Sequence, residues 1–127
     1  MTTTSTTQPP LRDWELSERD GRIDRFIGYH LGFGTSAHHS KNRWFEVDLY
    51  RQVDGVYVIH TRGESSVEGE TTRSRIVRTS SAYEVIELLT VYHNNKVFLT
   101  RPSSRALSQA AKWDEDICDA YIHRAVK

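Results

Sequence analysis

From Trp14 onward, apolar and polar residues alternate along much of the first half of the chain, and two Asp-Gly pairs interrupt this alternation. A period of two is typical of a β-strand that buries one face, and Asp-Gly is typical of a tight turn between two such strands. The pairs at positions 20–21 and 54–55 therefore predict two β-hairpins.

The side chains of the second hairpin select its register. A three-residue connection over 53–55 places Leu49 opposite Ile59 on one face and Asp48 opposite His60 on the other. A two-residue connection would pair Leu49 with His60, so we predict the longer one. The same loop length in the first hairpin matches charge with charge and ring with ring, at Glu15–Arg25 and Trp14–Phe26.

The rest of the chain predicts a further strand around 71–78, a short strand or extended linker over 96–100, and two helices. Ser81 and Glu84 form a capping box, and apolar residues follow at helical spacing, so one helix is predicted over 81–93. An apolar stripe predicts a second over 103–125, with acidic residues on its outer side at Asp114, Glu115, Asp116 and Asp119. The predicted fold class is α+β, a twisted antiparallel sheet of four to five strands packed by two helices.

The first residues differ in composition from the rest. Residues 1–12 are rich in Thr and Ser and contain two prolines, with little apolar surface to offset the entropy of ordering, so we predict a disordered tail. Residues 13–127 are predicted to form a single domain, since no second linker or repeat divides them.

Charge and cysteine content limit the classes of function. The 17 basic and 17 acidic residues leave no net charge to attract a polyanion, which argues against general nucleic-acid binding. A single cysteine, Cys118, cannot close an internal disulfide, and the N-terminal segment lacks a signal-peptide pattern. No apolar run is long enough to cross a bilayer. We therefore expect a cytoplasmic protein that does not span a membrane.

Sequence motifs for cofactors are absent from the chain: there is no nucleotide loop, no zinc-ligand spacing and no nucleophile elbow. His38 and His39 are adjacent in a polar loop, with Asp24, His30 or His60 as conceivable further ligands. Adjacent imidazoles point apart in most loops, so we predict no metal and no cofactor.

His60 is the main candidate for chemistry. The predicted register places it beside Asp48, and a neighbouring carboxylate would raise the pKa of His60 and orient its ring. The pair can be a half-exposed cross-strand contact, which is the simpler interpretation, or an oriented base. In the second case His30 and Arg62 would assist a small hydrolase or lyase.

Glycines alternate on one face of the second strand, at positions 28, 32 and 34, with His30 among them. A strand face without side chains lets another surface approach the backbone, either a packed helix or a ligand. We favour the helix. With a ligand instead, Trp44, Tyr50 and Tyr57 would flank the strip as the walls of an aromatic pocket.

Residues 25–62 contain the segments Arg25-Phe26-Ile27-Gly28, Trp44-Phe45-Glu46-Val47, Leu49-Tyr50-Arg51 and Gly55-Val56-Tyr57-Val58-Ile59-His60-Thr61-Arg62. This stretch resembles the β-rich part of the EXLDI family of small bacterial proteins. Of that family's terminal signature, only Asp116-Ile117 is present. The resemblance implies a small bacterial accessory protein and assigns no catalytic residue.

Aromatic and arginine side chains contribute most of the binding energy at many protein interfaces. Their presence in this chain favours a binding function. We predict a non-enzymatic binding or regulatory protein that docks a protein partner or a small ligand through a sheet face bearing Trp44, Tyr50, Tyr57, Arg62, Arg73 and Arg75. Two alternatives are the hydrolase or lyase above and a nucleic-acid contact through a basic strip at Arg73, Arg75 and Arg78. Pairing of such a strip with the acidic helix of a second copy would give a homodimer.

Overall fold

Five strands form an antiparallel sheet in the computed structural model, which describes residues 9–18, 21–37 and 42–125. The strands are β1 (Arg12–Ser17), β2 (Ile23–Thr35), β3 (Arg43–Gln52), β4 (Tyr57–Ser65) and β5 (Arg73–Thr79). Their order in the sheet is their order in the chain. The fold is α+β, as predicted. The predicted disordered tail falls mostly on residues 1–8, which lie outside the described residues, and its last residue, Arg12, begins β1.

Three helices and a small hairpin follow the sheet. They are α1 (Ala82–Leu89), β6 (Thr90–His93), β7 (Lys96–Leu99), α2 (Arg101–Ala110) and α3 (Glu115–Ala125). No helix in the described part of the chain is long and apolar enough to cross a membrane.

The N-cap that predicts α1 is confirmed, since the Ser81 side chain accepts a hydrogen bond from the Glu84 amide at 3.2 Å. The reciprocal half of the predicted capping box does not form, because the Ser81 amide donates to the Thr79 hydroxyl and that hydroxyl donates to Glu84. The predicted end at residue 93 is wrong, because the helix stops at Leu89 and residues 90–93 pair with 96–99 as a hairpin. Asn94 and Asn95 both adopt left-handed backbone angles, with φ of 50° and 63°. Two such residues form the turn that joins closely paired strands, and Asn tolerates it.

The single helix predicted over 103–125 is also wrong, since α2 ends at Ala110 and α3 starts at Glu115. Asp114, predicted on an exposed acidic side, is only 5% exposed. Its Oδ1 accepts a hydrogen bond from the Ile117 amide at 2.9 Å, which is the capping contact that Asp commonly makes at a helix start.

The predicted registers of both hairpins are confirmed. Asp48 lies opposite His60, Leu49 lies opposite Ile59, and the first hairpin pairs Glu15 with Arg25 and Trp14 with Phe26. Gly55 has φ of 92°, so the second connection ends on a left-handed glycine, as a three-residue loop requires.

A β-bulge in β2 changes which side chains face the helices. His30 lies opposite Tyr50, and Gly32 lies opposite Leu49, so Leu31 is an extra residue in the strand. The prediction that His30 and the glycines at 28, 32 and 34 share one face is therefore wrong, because the alternation reverses at the bulge.

The glycines beyond the bulge bring α2 against the sheet. A Cβ at Gly32 would lie 2.1 Å from the Ala106 carbonyl oxygen, and one at Gly34 would lie 1.9 Å from that of Pro102. Both distances are far below van der Waals contact. Helix packing, the favoured interpretation of the bare strip, is thus confirmed, and no ligand is needed to explain these two glycines.

The main core lies between the helices and one face of the sheet, which we call the helix-covered face. Its most buried side chains come from β3 and β4 and from all three helices: Val47, Leu49, Tyr57, Ile59, Val85, Leu107 and Ile117. The opposite side, the open face, carries the alternate residues of the same strands, among them Asp48, Tyr50, His60 and Arg62.

The sheet curls so that the open face is concave. Arg78 on β5 donates to Asp24 on β2 at 2.7 Å, although β3 and β4 lie between them and three strand spacings amount to roughly 14 Å in a flat sheet. This hydrogen bond lowers the pKa of Asp24. Leu16 on β1 similarly packs in one cluster with Val58 on β4. The two edges of the sheet therefore approach each other over the open face.

Candidate binding site

The residues predicted to form one binding surface lie on two faces. Trp44, Tyr50 and Arg62 occupy open-face positions, and Asp48 and His60 lie among them. The others project toward the helix-covered face, where Tyr57 is 2% exposed and packed in the main core, while Arg73 and Arg75 are exposed on β5.

The predicted common surface is therefore wrong. The reason is that side chains alternate between the two faces along a strand. Tyr57 lies opposite Arg51, whereas Tyr50 lies opposite Val58, so the side chains of Tyr57 and Tyr50 are on opposite faces of the sheet. The predicted basic strip divides in the same way. Arg78 lies on the open face in an ion pair with Asp24, away from Arg73 and Arg75.

Asp48 is the centre of a charged network on the open face. It is 7% exposed, and its two oxygens accept hydrogen bonds from His30 Nε2 at 2.7 Å and from an Arg62 Nη at 2.6 Å. The same Arg62 nitrogen lies 3.0 Å from a Glu46 oxygen, and Trp44 Nε1 donates to Glu46 at 3.0 Å. One guanidinium thus faces two carboxylates.

His60 lies opposite Asp48 but does not bond to it. The side chain is 4% exposed, and neither ring nitrogen has a hydrogen-bond partner among the described residues. Burial lowers the pKa of His60, the charge of Arg62 lowers it further, and Asp48 only partly opposes this. The expectations of a half-exposed side chain and of a raised pKa are therefore wrong, because the curled sheet buries His60. The Asp48 oxygens bind His30 and Arg62 instead of the His60 ring.

Tyr50 belongs to a packed aromatic cluster. Its ring makes edge-on contacts with Trp14 and His30 at centroid distances of 5.0 Å and with Phe26 at 5.3 Å. Tyr50 is 4% exposed, and burial, reinforced by the charge of Asp48, raises the pKa of its phenol. The ring therefore supports the open face from within.

A cleft of about 630 Å³ opens beside this cluster, between the two edges of the curled sheet. Its volume is within the range of small-molecule sites. Its polar lining combines the hydroxyls of Ser17, Thr71, Thr72 and Ser74, the carboxylates of Glu15 and Glu18, and the side chains of His60 and Arg62. Leu16 is its apolar residue. Of the four residues that sequence reasoning singled out for chemistry, His60 and Arg62 line the cleft, whereas Asp48 and His30 do not.

Metal ligands do not converge in the described part of the chain, where no three His, Cys, Asp or Glu side chains form a group that could hold an ion. The adjacent pair His38 and His39 lies outside the described residues. His30 and Asp24, two of the conceivable further ligands, bond to Asp48 and Arg78 respectively.

Sequence reasoning missed the group around Asp114. The Tyr57 hydroxyl donates to Asp114 at 2.8 Å, and Arg51 donates to it at 2.8 Å and to Asp116 at 3.2 Å. Burial, followed by the Asp114 contact, raises the pKa of Tyr57. Asp114 is a residue type that commonly caps helices, so it could have indicated a helix start. The apolar stripe continues through 103–125, however, and therefore predicts a single helix.

Comparisons of the chain with protein-family models, with curated proteins and with solved structures find no match. The resemblance to the EXLDI family therefore stays a prediction.

Proposed function

We propose that this protein is a non-enzymatic, cytoplasmic binding protein that takes up a small, neutral, hydroxyl-rich molecule in the cleft of the open face. A small bacterial accessory protein, as the EXLDI resemblance implies, would suit such a role. The observation that carries the proposal is His60, a buried polar side chain that lines the cleft without a partner among the described residues.

A buried polar group without a hydrogen bond costs about 1–3 kcal/mol, and most buried polar groups in proteins have a partner. His60 has two such nitrogens, and Arg62 Nε is a third unpartnered atom in the same part of the site. A ligand or an ordered water in the cleft can supply what these groups lack. The incomplete hydrogen bonding therefore supports an occupant that bears hydrogen-bonding groups.

The charge of the site favours a neutral occupant. Arg62 is balanced by Asp48 and Glu46, and the lowered pKa of His60 keeps its ring uncharged near neutral pH. Glu15 and Glu18, which also line the cleft, lie within ion-pair distance of Arg25 and Arg22. Neither an anion nor a cation would therefore meet an excess of the opposite charge. The hydroxyls of Thr71, Thr72 and Ser74 on the wall are suited to exchanging hydrogen bonds with the hydroxyls of a polyol or sugar.

The geometry supports binding over the hydrolase or lyase alternative. In that alternative, Asp48 orients the ring of His60, which acts as a general base. Asp48 orients His30, which is not part of the cleft lining, whereas His60 in the cleft has no carboxylate partner. Asp48 and His60 are neighbours across the strands, but Asp48 does not orient the His60 ring.

The test is a protein-observed NMR titration with glycerol, xylitol and glucose, run beside glycerate and gluconate as anionic counterparts. We expect at least one neutral compound to bind and to shift the signals of His60, Thr72 and Ser74. His60→Phe should weaken that binding at least tenfold. The matched control is His93→Phe, which changes an exposed histidine on β6 and should leave binding unchanged.

Three results would contradict the proposal. These are tighter binding of the anionic compounds, equal binding by wild type and His60→Phe, and no binding by any neutral compound in the panel.

A further inference from the structure

A second cavity, of about 310 Å³, lies on the other side of the sheet, between the helix-covered face and the segment that joins α1 to α2. Most of its lining is apolar and comes from several elements: Phe45, Ile59, Val77, Leu88, Leu89 and Val91. Its volume is at the lower end of the range for small-molecule sites. The lining suits a short apolar chain or ring.

Exposed apolar side chains at this cavity indicate that its opening lacks a cover in the described structure. Phe45 is 38% exposed and Leu88 is 43% exposed. An apolar ligand in the cavity would remove part of this surface from water, which is the main driving force for such binding.

Arg75 supplies the one charged group of the lining, beside the hydroxyls of Thr61, Thr90, Thr100 and Ser103. Arg75 on β5 lies opposite Thr61 on β4. Its guanidinium makes no ion pair or hydrogen bond with the rest of the described chain. By contrast, Arg51, Arg62 and Arg78 each bond to a carboxylate. Arg75 therefore remains available to an anionic group at the edge of an apolar cavity.

We propose that this cavity binds an apolar monocarboxylic acid, with its carboxylate against Arg75 and its hydrocarbon part among Ile59, Val77 and Leu89. Guanidinium and carboxylate match in charge and in planar shape, which makes their hydrogen bonds stronger than neutral ones. This site is independent of the open-face cleft, because the sheet separates the two. Its ligand also differs in class, being apolar and anionic.

The experiment compares octanoate with octanol as probes by isothermal titration calorimetry. We expect wild type to bind octanoate, and Arg75→Gln to weaken octanoate binding about tenfold while octanol binding stays within a factor of two. Arg73→Gln is the matched control, since Arg73 lies two residues away on the same strand and does not line this cavity. It should bind octanoate like wild type.

A second variant, Val77→Phe, fills the cavity and should abolish the binding of both probes. In wild type, we expect the NMR shifts caused by the probes to be confined to the residues that line the cavity. The proposal is overturned if wild type does not bind octanoate, if Arg73→Gln and Arg75→Gln lose equal affinity, or if octanol loses as much as octanoate in Arg75→Gln. None of these results depends on whether polyols bind the open face.

Discussion

The two faces of the sheet each bury an aspartate among aromatic and basic groups, but they complete their hydrogen bonds differently. On the helix-covered side, Asp114 accepts from Tyr57, Arg51 and the Ile117 amide, all within 2.9 Å. On the open face, Asp48 is satisfied while its cross-strand neighbour His60 has no partner among the described residues. Complete networks hold a structure together, whereas an incomplete one indicates a missing partner.

Packing differs between the faces in the same sense. The helix-covered face brings the α2 backbone into contact with β2 at two glycines, which leaves no room for a Cβ. The open face curls over a cleft of about 630 Å³ instead. We therefore expect changes at Asp114 and at the contact between α2 and β2 to affect stability mainly, and changes at the cleft to affect binding mainly.

The largest effect should come from Asp114→Ala, which we expect to lower the free energy of unfolding by about 3 kcal/mol. The substitution leaves the buried Tyr57 hydroxyl without its acceptor and removes the cap of α3. Urea denaturation followed by circular dichroism measures the change.

Its control is Asp116→Ala, since Asp116 contacts the same Arg51 but is 62% exposed. Exposed ion pairs contribute little, so we expect a loss below about 1 kcal/mol. Equal losses in the two variants would mean that the Asp114 network is no more important for stability than a surface ion pair.

A smaller loss, about 2 kcal/mol, is expected for Gly32→Ala, because the added methyl would meet the Ala106 carbonyl oxygen and push α2 from the sheet. Gly63→Ala is the control, since a Cβ there has no neighbour within 4 Å. We expect its stability to be unchanged or higher by up to about 1 kcal/mol. If Gly32→Ala is as stable as Gly63→Ala by thermal denaturation, the close approach of α2 is not present in solution.

The smallest effect concerns His60→Phe and depends on pH. Because burial, followed by Arg62, lowers the pKa of His60 below its ordinary value of 6.5, the unfolded chain takes up the proton first as pH falls. The contribution of neutral His60 to stability is therefore present above pH 6.5 and is lost as pH falls from there toward the lowered pKa.

We expect His60→Phe to be within about 1 kcal/mol of wild type at pH 8, since it removes a buried polar group that has no partner in the described structure. Below pH 6.5 the variant should gain on wild type. Urea denaturation at pH 8, 6.5 and 5.5 measures this. Parallel curves for the two proteins would show that His60 stays paired or exposed in solution.

The hairpins show how far local pattern reaches. The three-residue loop and the matched side chains of 47–61 predict the pairs Leu49–Ile59 and Asp48–His60, and the structure contains both. The prediction succeeds because turn geometry and strand pairing in a hairpin involve residues close in the chain. The Ser81 N-cap of α1 is a local signal of the same kind. What the turn and the alternation specify needs no knowledge of the rest of the molecule.

Other features depend on contacts between distant segments. The bulge at Leu31, the break before α3 and the curl that forms the cleft each involve residues brought together by folding, such as Tyr57 and Asp114, 57 positions apart. A period-two pattern does not show where a bulge lies. The groups that a carboxylate binds depend on distances that are set only when the chain folds. The sequence therefore predicts that His60 lies opposite Asp48, but only the folded structure shows that the Asp48 oxygens accept hydrogen bonds from His30 and Arg62.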